Sequence, residues 1–206
     1  ANVVPLPRTD PERKVADITY MVQKGALVHL DRIRITGNET TWDKVIRREI
    51  GLDEGDQWVG SELKRTRRRL ERLGYFEDIK ITTPKGDEAD SLDMVIDVTE
   101  KPTGTFSIGA GISSIESFVF TANISRANFL GLGYFVSFAA NLSLGSNLQE
   151  RGFFRGENSR QVLQLDFYDP YFLDTRFNFR FAAFNRVLDY GLREYNRGFT
   201  IAIGHY

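Results

Sequence analysis

The spacing of apolar residues changes character once along this chain, near residue 102. Before it, runs with a period of two alternate with runs spaced at three and four; after it the period is two almost throughout. Val15 to Gln23 carries Ala16, Ile18, Tyr20 and Val22 on one face and predicts a strand. The first dozen residues, with Pro5, Pro7 and Pro11 among polar neighbours, are expected to be extended or loose. Leu30, Ile33 and Ile35 predict a second strand that stops at the turn pair Gly37-Asn38. Thr40 or Thr41 is placed to cap a helix with Asp43 in its first turn; Trp42, Val45, Ile46 and Ile50 form its apolar stripe and Gly51 its end. After a loop rich in Gly and acid, a second helix is expected from near Ser61 to Leu73. Its Leu63, Thr66, Leu70 and Leu73 share one face, and Gly74 supplies a left-handed stop. Tyr75 and Phe76 lead into a strand with Ile79 and Ile81. Pro84-Lys85-Gly86-Asp87 predicts a turn, and Leu92, Met94, Ile96 and Val98 mark one face of a last strand. Strand, helix, helix, strand, strand predicts an α+β unit in which two helices cover one face of a small sheet.

Past Pro102, about six alternating runs succeed one another. Phe106, Ile108, Ala110 and Ile112 alternate with Thr105, Ser107, Gly109 and Gly111; Phe118, Phe120, Ala122 and Ile124 alternate with Val119, Thr121, Asn123 and Ser125. The pattern repeats from Gly133 to Gly145, around Leu163–Phe167, Phe177–Ala183 and Phe199–Ile203. Most runs are long enough for a tilted strand to cross a hydrocarbon core. Ala127 to Gln149 is uncharged and long enough for a membrane helix, but its Gly and Asn content and its period of two favour strands. The face bearing Thr121, Asn123, Ser137, Asn141, Asp166 and Arg180 suits a water-filled lumen, and Arg176 falls with it. Segments 146–158 and 188–196 read as long polar loops; 126–132 and Asp169–Asp174 read as tight turns, as does Ser113–Ser117. Outer-membrane barrels have long outer loops and short periplasmic turns, so all but the short turn at 113–117 sort correctly if Pro102 lies on the periplasmic side.

Composition divides at the same point. Residues 1–102 hold 38 of the 55 charged residues and 5 of the 26 aromatics; the rest of the chain holds 21 aromatics and no Lys. The two parts are therefore suited to different solvents. A net charge of -1 argues against non-specific attraction to nucleic acid. With no Cys, disulfides, thiol nucleophiles and Cys-based metal sites are excluded. The N-terminus lacks the basic and apolar regions of a signal peptide, so in an exported protein that segment is already gone.

The basic run Lys64-Arg65-Thr66-Arg67-Arg68-Arg69 sits on a helix whose leucines face a core, so it reads as a solvated face, open to a partner or lipid headgroup but not to nucleic acid. Asp53, Glu54 and Asp56 lack the full spacing of a calcium loop and fit an interhelical turn. His29 and His205 lie far apart, and no nucleophile motif accompanies them. Catalytic residues, metal ligands and a cofactor site are not expected, and the chain reads as no enzyme. Residues 16–22 resemble 92–98 faintly, which makes residues 1–25 a candidate for the tail of a preceding copy of the same domain.

Four stretches in order, Ile33-Arg34-Ile35-Thr36-Gly37-Asn38, Val45-Ile46-Arg47-Arg48-Glu49, Glu54-Gly55-Asp56 and Arg69-Leu70-Glu71-Arg72-Leu73-Gly74-Tyr75-Phe76, resemble a POTRA domain. Thr103 to Gly111 resembles the first barrel strand of the BamA type of outer-membrane assembly factor, and Asp169-Pro170-Tyr171-Phe172 one of its periplasmic turns. The resemblance implies a POTRA domain (β-α-α-β-β) over 26–101 and the N-terminal part of an antiparallel transmembrane β-barrel over 102–206, with further strands beyond Tyr206. It implies residence in the outer membrane with the POTRA domain in the periplasm. The implied partners are unfolded outer-membrane proteins, accessory lipoproteins of the assembly complex and the lipid bilayer. Clients would add as strands to POTRA sheet edges and to the first barrel strand at Thr105, Phe106, Ser107, Ile108, Gly109 and Ala110, where glycines weaken packing. A related polypeptide translocator is the alternative within this resemblance. A soluble β-sandwich binding module is a further one, against which the continuous Phe rows argue.

Overall fold

The computed structural model describes residues 2–10, 15–23, 27–114, 116–144, 159–190 and 192–205. Strands β1 (Asn2–Asp10) and β2 (Val15–Gln23) pair antiparallel as a two-stranded sheet of their own. The expectation of an extended or loose start is thus sharpened to a strand. Pro5 and Pro7 are two apart, so their missing N–H groups fall on one edge, and a two-stranded ribbon has an edge to spare. Ile18, Tyr20 and Val22 remain exposed on this hairpin.

The second unit has the expected order. Strand β3 (His29–Thr36) is followed by α1 (Asp43–Arg47), α2 (Gly60–Leu73), β4 (Phe76–Thr82) and β5 (Ser91–Glu100). The sheet order is β3-β5-β4, with β3 parallel and β4 antiparallel to β5. A parallel pair needs a long crossover, and the two helices supply it. The core gathers Leu30, Val45, Ile46, Leu70, Met94 and Ile96, each fully buried, between helices and sheet. On α2 the expected face is the buried one: Thr66 and Leu70 are inaccessible, Leu63 and Leu73 pack at the margin, and Gly74 ends the helix at φ 72°.

The first helix is shorter than its apolar stripe suggests. It covers five residues, and residues 48–50 continue only as turns. No threonine caps it; the helix starts after Trp42, and the amides of Thr40 and Thr41 are bound instead by the Glu100 carboxylate at 2.9 and 2.7 Å. Trp42, expected in the core stripe, is 58% exposed.

The remaining strands form one antiparallel sheet in sequence order: β6 (Gly104–Ser113), β7 (Ser117–Phe129), β8 (Tyr134–Leu144), β9 (Ser159–Asp169), β10 (Phe177–Asp189) and β11 (Arg193–His205). It is a single open sheet among the described residues, not a sandwich. The expected long loop at 188–196 is replaced by strand: β10 runs to Asp189, paired with Arg193 at the start of β11. Polar side chains there alternate as well as apolar ones, and backbone pairing extends beyond the hydrophobic pattern. The loop expected at 146–158 lies outside the described residues.

Leu70→Ala should destabilise the α/β unit by about 2–4 kcal/mol, the cost of a buried cavity. Arg68→Ala, on the exposed side of α2, should cost under about 0.5 kcal/mol. Urea unfolding measures both; equal costs would mean that the wrong helix face packs inward.

Candidate functional site: a strand edge and a domain junction

Register assigns the faces of the large sheet. Ser125, Ser137, Asp166, Ala182 and Thr200 form one row across five strands, and Thr121 stands opposite Asn141. Asn123 and Arg180 have the same parity in their strands. All six residues expected to face a lumen therefore share one side of the sheet. On it, the exposed guanidinium of Arg180 approaches the largely covered carboxylate of Asp166 at 3.7 Å. The opposite side carries the row Phe106, Ile124, Phe138, Leu165, Ala183 and Phe199. Most of that row is exposed to the surroundings of the sheet, which suits hydrocarbon and not water.

Strand β6 pairs along its whole length with β7 and has no second neighbour among the described strands. Every residue from Gly104 to Ile112 is exposed, including Thr105, Phe106, Ser107, Ile108, Gly109 and Ala110. Its outer N–H and C=O groups form an open template. A shallow groove of about 500 Å³ lies beside this edge, lined by Ile108, Ala110, Phe120, Ala122, Ala140 and Leu142.

The edges of the three-stranded sheet are not equivalent. The outer edge of β3 is largely taken by the loop between the helices. Leu30 N–H donates to Asp56 O at 2.9 Å, Gly55 N–H to Leu30 O at 2.7 Å, and Trp58 N–H to Val28 O at 2.7 Å. Ile33 N–H is bound by the Glu54 carboxylate at 2.9 Å, and Arg47 donates to Ile33 O. These contacts also give the acidic loop its role as a turn. Only β4 offers a long edge without a neighbouring strand among the described residues.

The two units meet through two turns of the large sheet. In the first, between β7 and β8, Asn128 donates to the Thr41 hydroxyl at 2.7 Å and its side-chain oxygen accepts Gly133 N–H at 2.9 Å. Trp42 N–H donates to Gly131 O at 3.0 Å, and Tyr75 Oη donates to Gly133 O at 3.3 Å. Burial raises the Tyr75 phenol above its ordinary value, which keeps it a donor. Gly131 leaves no room for a side chain: its φ is +74°, and a Cβ there would stand 2.0 Å from the backbone oxygen of Thr40. In the second turn, between β9 and β10, Tyr171 donates to Glu49 at 3.0 Å, its ring lies 4.1 Å under Arg48, and Asp174 holds Lys44 at 3.0 Å. Both turns touch the α/β unit, so they lie at the same end of the sheet, as their shortness predicts.

Sequence reasoning finds both turns and the edge but not the junction. Its partners are 58 to 130 residues apart. The available signal is the run Asn128-Phe129-Leu130-Gly131-Leu132-Gly133, whose spaced Gly and Asn mark positive φ and close approach.

Glu100 gives the junction a pH response. Burial pushes its carboxyl up, but hydrogen bonds from Thr41 and Thr40 outweigh this and hold it below the usual glutamate range. The folded form thus titrates lower than the unfolded one, so its contribution is complete above the ordinary range and is lost as pH falls through the folded value. Amide shifts of Thr40 and Thr41 should track one such titration, and Glu100→Gln should abolish it. A midpoint at or above the ordinary glutamate value would contradict the assignment. A second expectation concerns the faces: in lipid, a spin label at Phe120 should meet lipid-soluble oxygen more than one at Thr121. The reverse order would mean that the sheet is turned inside out.

Residues 28–101 match the family model POTRA, described as a surface antigen variable number repeat. The chain is 33% identical over 132 residues to the outer membrane protein assembly factor BamA of Nitratidesulfovibrio vulgaris, covering 64% of this chain and 17% of that one. It is 28% identical over 191 residues to that of Neisseria meningitidis, covering 91% and 22%. The chain thus spans about a fifth of the length of these relatives. A crystal structure of BamA from Haemophilus ducreyi lacking POTRA domains 1–3 superposes with a TM-score of 0.72 at 24% identity, covering 98% of this chain and 37% of that one, and shows the shared fold. Residues 28–101 are therefore a POTRA domain, followed by an open six-stranded sheet whose fold matches part of that BamA barrel.

Proposed function

We propose that this chain acts in the assembly of outer-membrane β-barrel proteins and receives unfolded clients by strand addition. It sits in the outer membrane with its POTRA domain in the periplasm. The observation that carries the reading is the outer edge of β6, which has no second neighbour among the described strands and follows the POTRA domain directly through Lys101–Thr103. A client strand aligned with Thr105–Ala110 gains backbone hydrogen bonds, and its alternate apolar side chains extend the apolar face beside Phe106, Ile108 and Ala110. The gain is larger in lipid than in water, because an unpaired N–H or C=O in hydrocarbon costs several kcal/mol, by general estimate. Folding into the bilayer therefore drives the step. Of the two POTRA edges, β4 is the one that fits an extended client, because loop contacts occupy β3. Accessory lipoproteins complete the expected set of partners.

The chain has no cysteine, so single replacements report cleanly. Ser107→Cys should form a disulfide with a cysteine placed in a client strand. Ser137→Cys should not, because Ser125 and Asp166 already flank it in β7 and β9. Folded protein that traps no client at 107, or traps it equally at 137, would exclude strand addition at β6.

A further inference from the structure

The two turns that hold the POTRA domain share an oddity. Leu130 and Leu173 have φ values of 57° and 55°, a backbone region that is costly for a leucine and cheap for glycine or asparagine. Neither leucine is buried in return: they are 65% and 78% exposed. Beside the first stands Trp42, also mostly exposed, with its N–H on Gly131 O and its indole packed over Gly131. Strained backbone that presents apolar side chains outward calls for an apolar surface outside the protein.

The second turn shows which surface. Phe172 stacks on Phe179 with ring centres 4.9 Å apart; Phe179 is 6.3 Å from Phe167, and Phe167 is 5.4 Å from Tyr134. Tyr134, Phe167 and Phe179 belong to the apolar side of the sheet. That side therefore continues through Phe172 to Leu173 at the POTRA end of the strands. An aromatic band closing an apolar face is what a strand sheet shows at a membrane–water boundary.

We propose that Leu130, Leu173 and Trp42 form an interfacial anchor that enters the headgroup–acyl boundary of the periplasmic leaflet, so that phospholipid contacts the POTRA domain directly at Trp42. The inference rests on the reading that the apolar side of the sheet meets lipid. Trp42 lies where α1 begins, and α1 also carries Lys44, which reaches Asp174. Lipid contact at Trp42 thus acts with the turn contacts to set the tilt of the POTRA domain against the barrel.

The chain contains two tryptophans, so Trp58→Phe leaves Trp42 as the sole reporter. In phosphatidylethanolamine–phosphatidylglycerol vesicles, lipid brominated near the headgroup should quench Trp42 emission by about half, and lipid brominated at the chain end much less. Leu130→Asn with Leu173→Asn suits the positive φ and should reduce that quenching. Unchanged quenching would remove the leucines from the anchor. A Trp42→Phe, Trp58→Phe, Phe138→Trp chain reports on the sheet itself. Quenching at 138 without quenching at 42 overturns the anchor and leaves the membrane reading intact; quenching at neither overturns both. Should Trp58→Phe fold poorly, Trp42→Cys carrying an environment-sensitive dye replaces it. A blue shift on vesicle binding supports the anchor, and a dye that stays in water excludes it.

Discussion

Register is the constraint on which the rest of this chain depends. In a strand the side-chain period is two, so a slip of one residue at any pairing would exchange the two faces of that strand. Five successive antiparallel pairings hold the same parity from β6 to β11. Ser, Thr and Asn concentrate on one face and Phe, Ile and Leu on the other, with exceptions on both: Phe135 and Phe184 fall on the polar face, Arg126, Asn185 and Arg197 on the apolar one. Hydrocarbon enforces this more strictly than water would, because it penalises both a misplaced charge and an unpaired backbone group. The same rule leaves the two end strands, β6 and β11, with one neighbour each among the described strands.

The POTRA domain obeys different rules, and the junction reconciles them. Its core is built from complete burial of a few aliphatic residues, and its charge is spread over solvent-facing surfaces. Among the described residues, Ala127 is the hydrophobic side chain of the large sheet that packs against the POTRA core. Polar contacts carry the junction instead: Asn128 with Thr41, Tyr171 with Glu49 and Arg48, Lys44 with Asp174. Such contacts fix orientation through geometry more than they add stability, because each exchanges bonds to water for bonds within the protein. A junction of this kind holds a position and can also be re-formed in another.

Periodicity is the part of the fold that the sequence displays directly. Alternation and spacings of three and four place both helices, the three POTRA strands and all six strands of the large sheet, and Thr121, Asn123, Ser137, Asn141, Asp166 and Arg180 share one side of that sheet. Where sequence and structure part, a non-local contact has replaced a local one. The amides of Thr40 and Thr41 find Glu100, about sixty residues away, so no threonine caps α1 and the helix stays short. Helical spacing points Trp42 inward, but a helix this short has too few turns to impose a stripe. Polarity suggests a loop at 188–196, yet polarity does not prevent antiparallel pairing between Asp189 and Arg193. The inequality of the POTRA edges is invisible in sequence, because it depends on where the Glu54–Trp58 loop lands.

Edge and junction also bear on each other. β6 leaves the POTRA domain through Lys101 to Thr103, and this link is pinned on both sides. Lys101 N–H donates to Tyr75 O at 3.0 Å, and Thr103 exchanges bonds with Ala127, its hydroxyl donating to Ala127 O at 2.5 Å and its carbonyl accepting Ala127 N–H. Tyr75 in turn reaches Gly133, so the start of the free strand, the end of α2 and the β7–β8 turn form one connected set of hydrogen bonds. A rotation of the POTRA domain therefore acts on the first residues of β6 as well as on the β7–β8 and β9–β10 turns that it also touches. β6, an end strand of the sheet among the described strands, is thus joined to the POTRA domain both along the chain and through these hydrogen bonds.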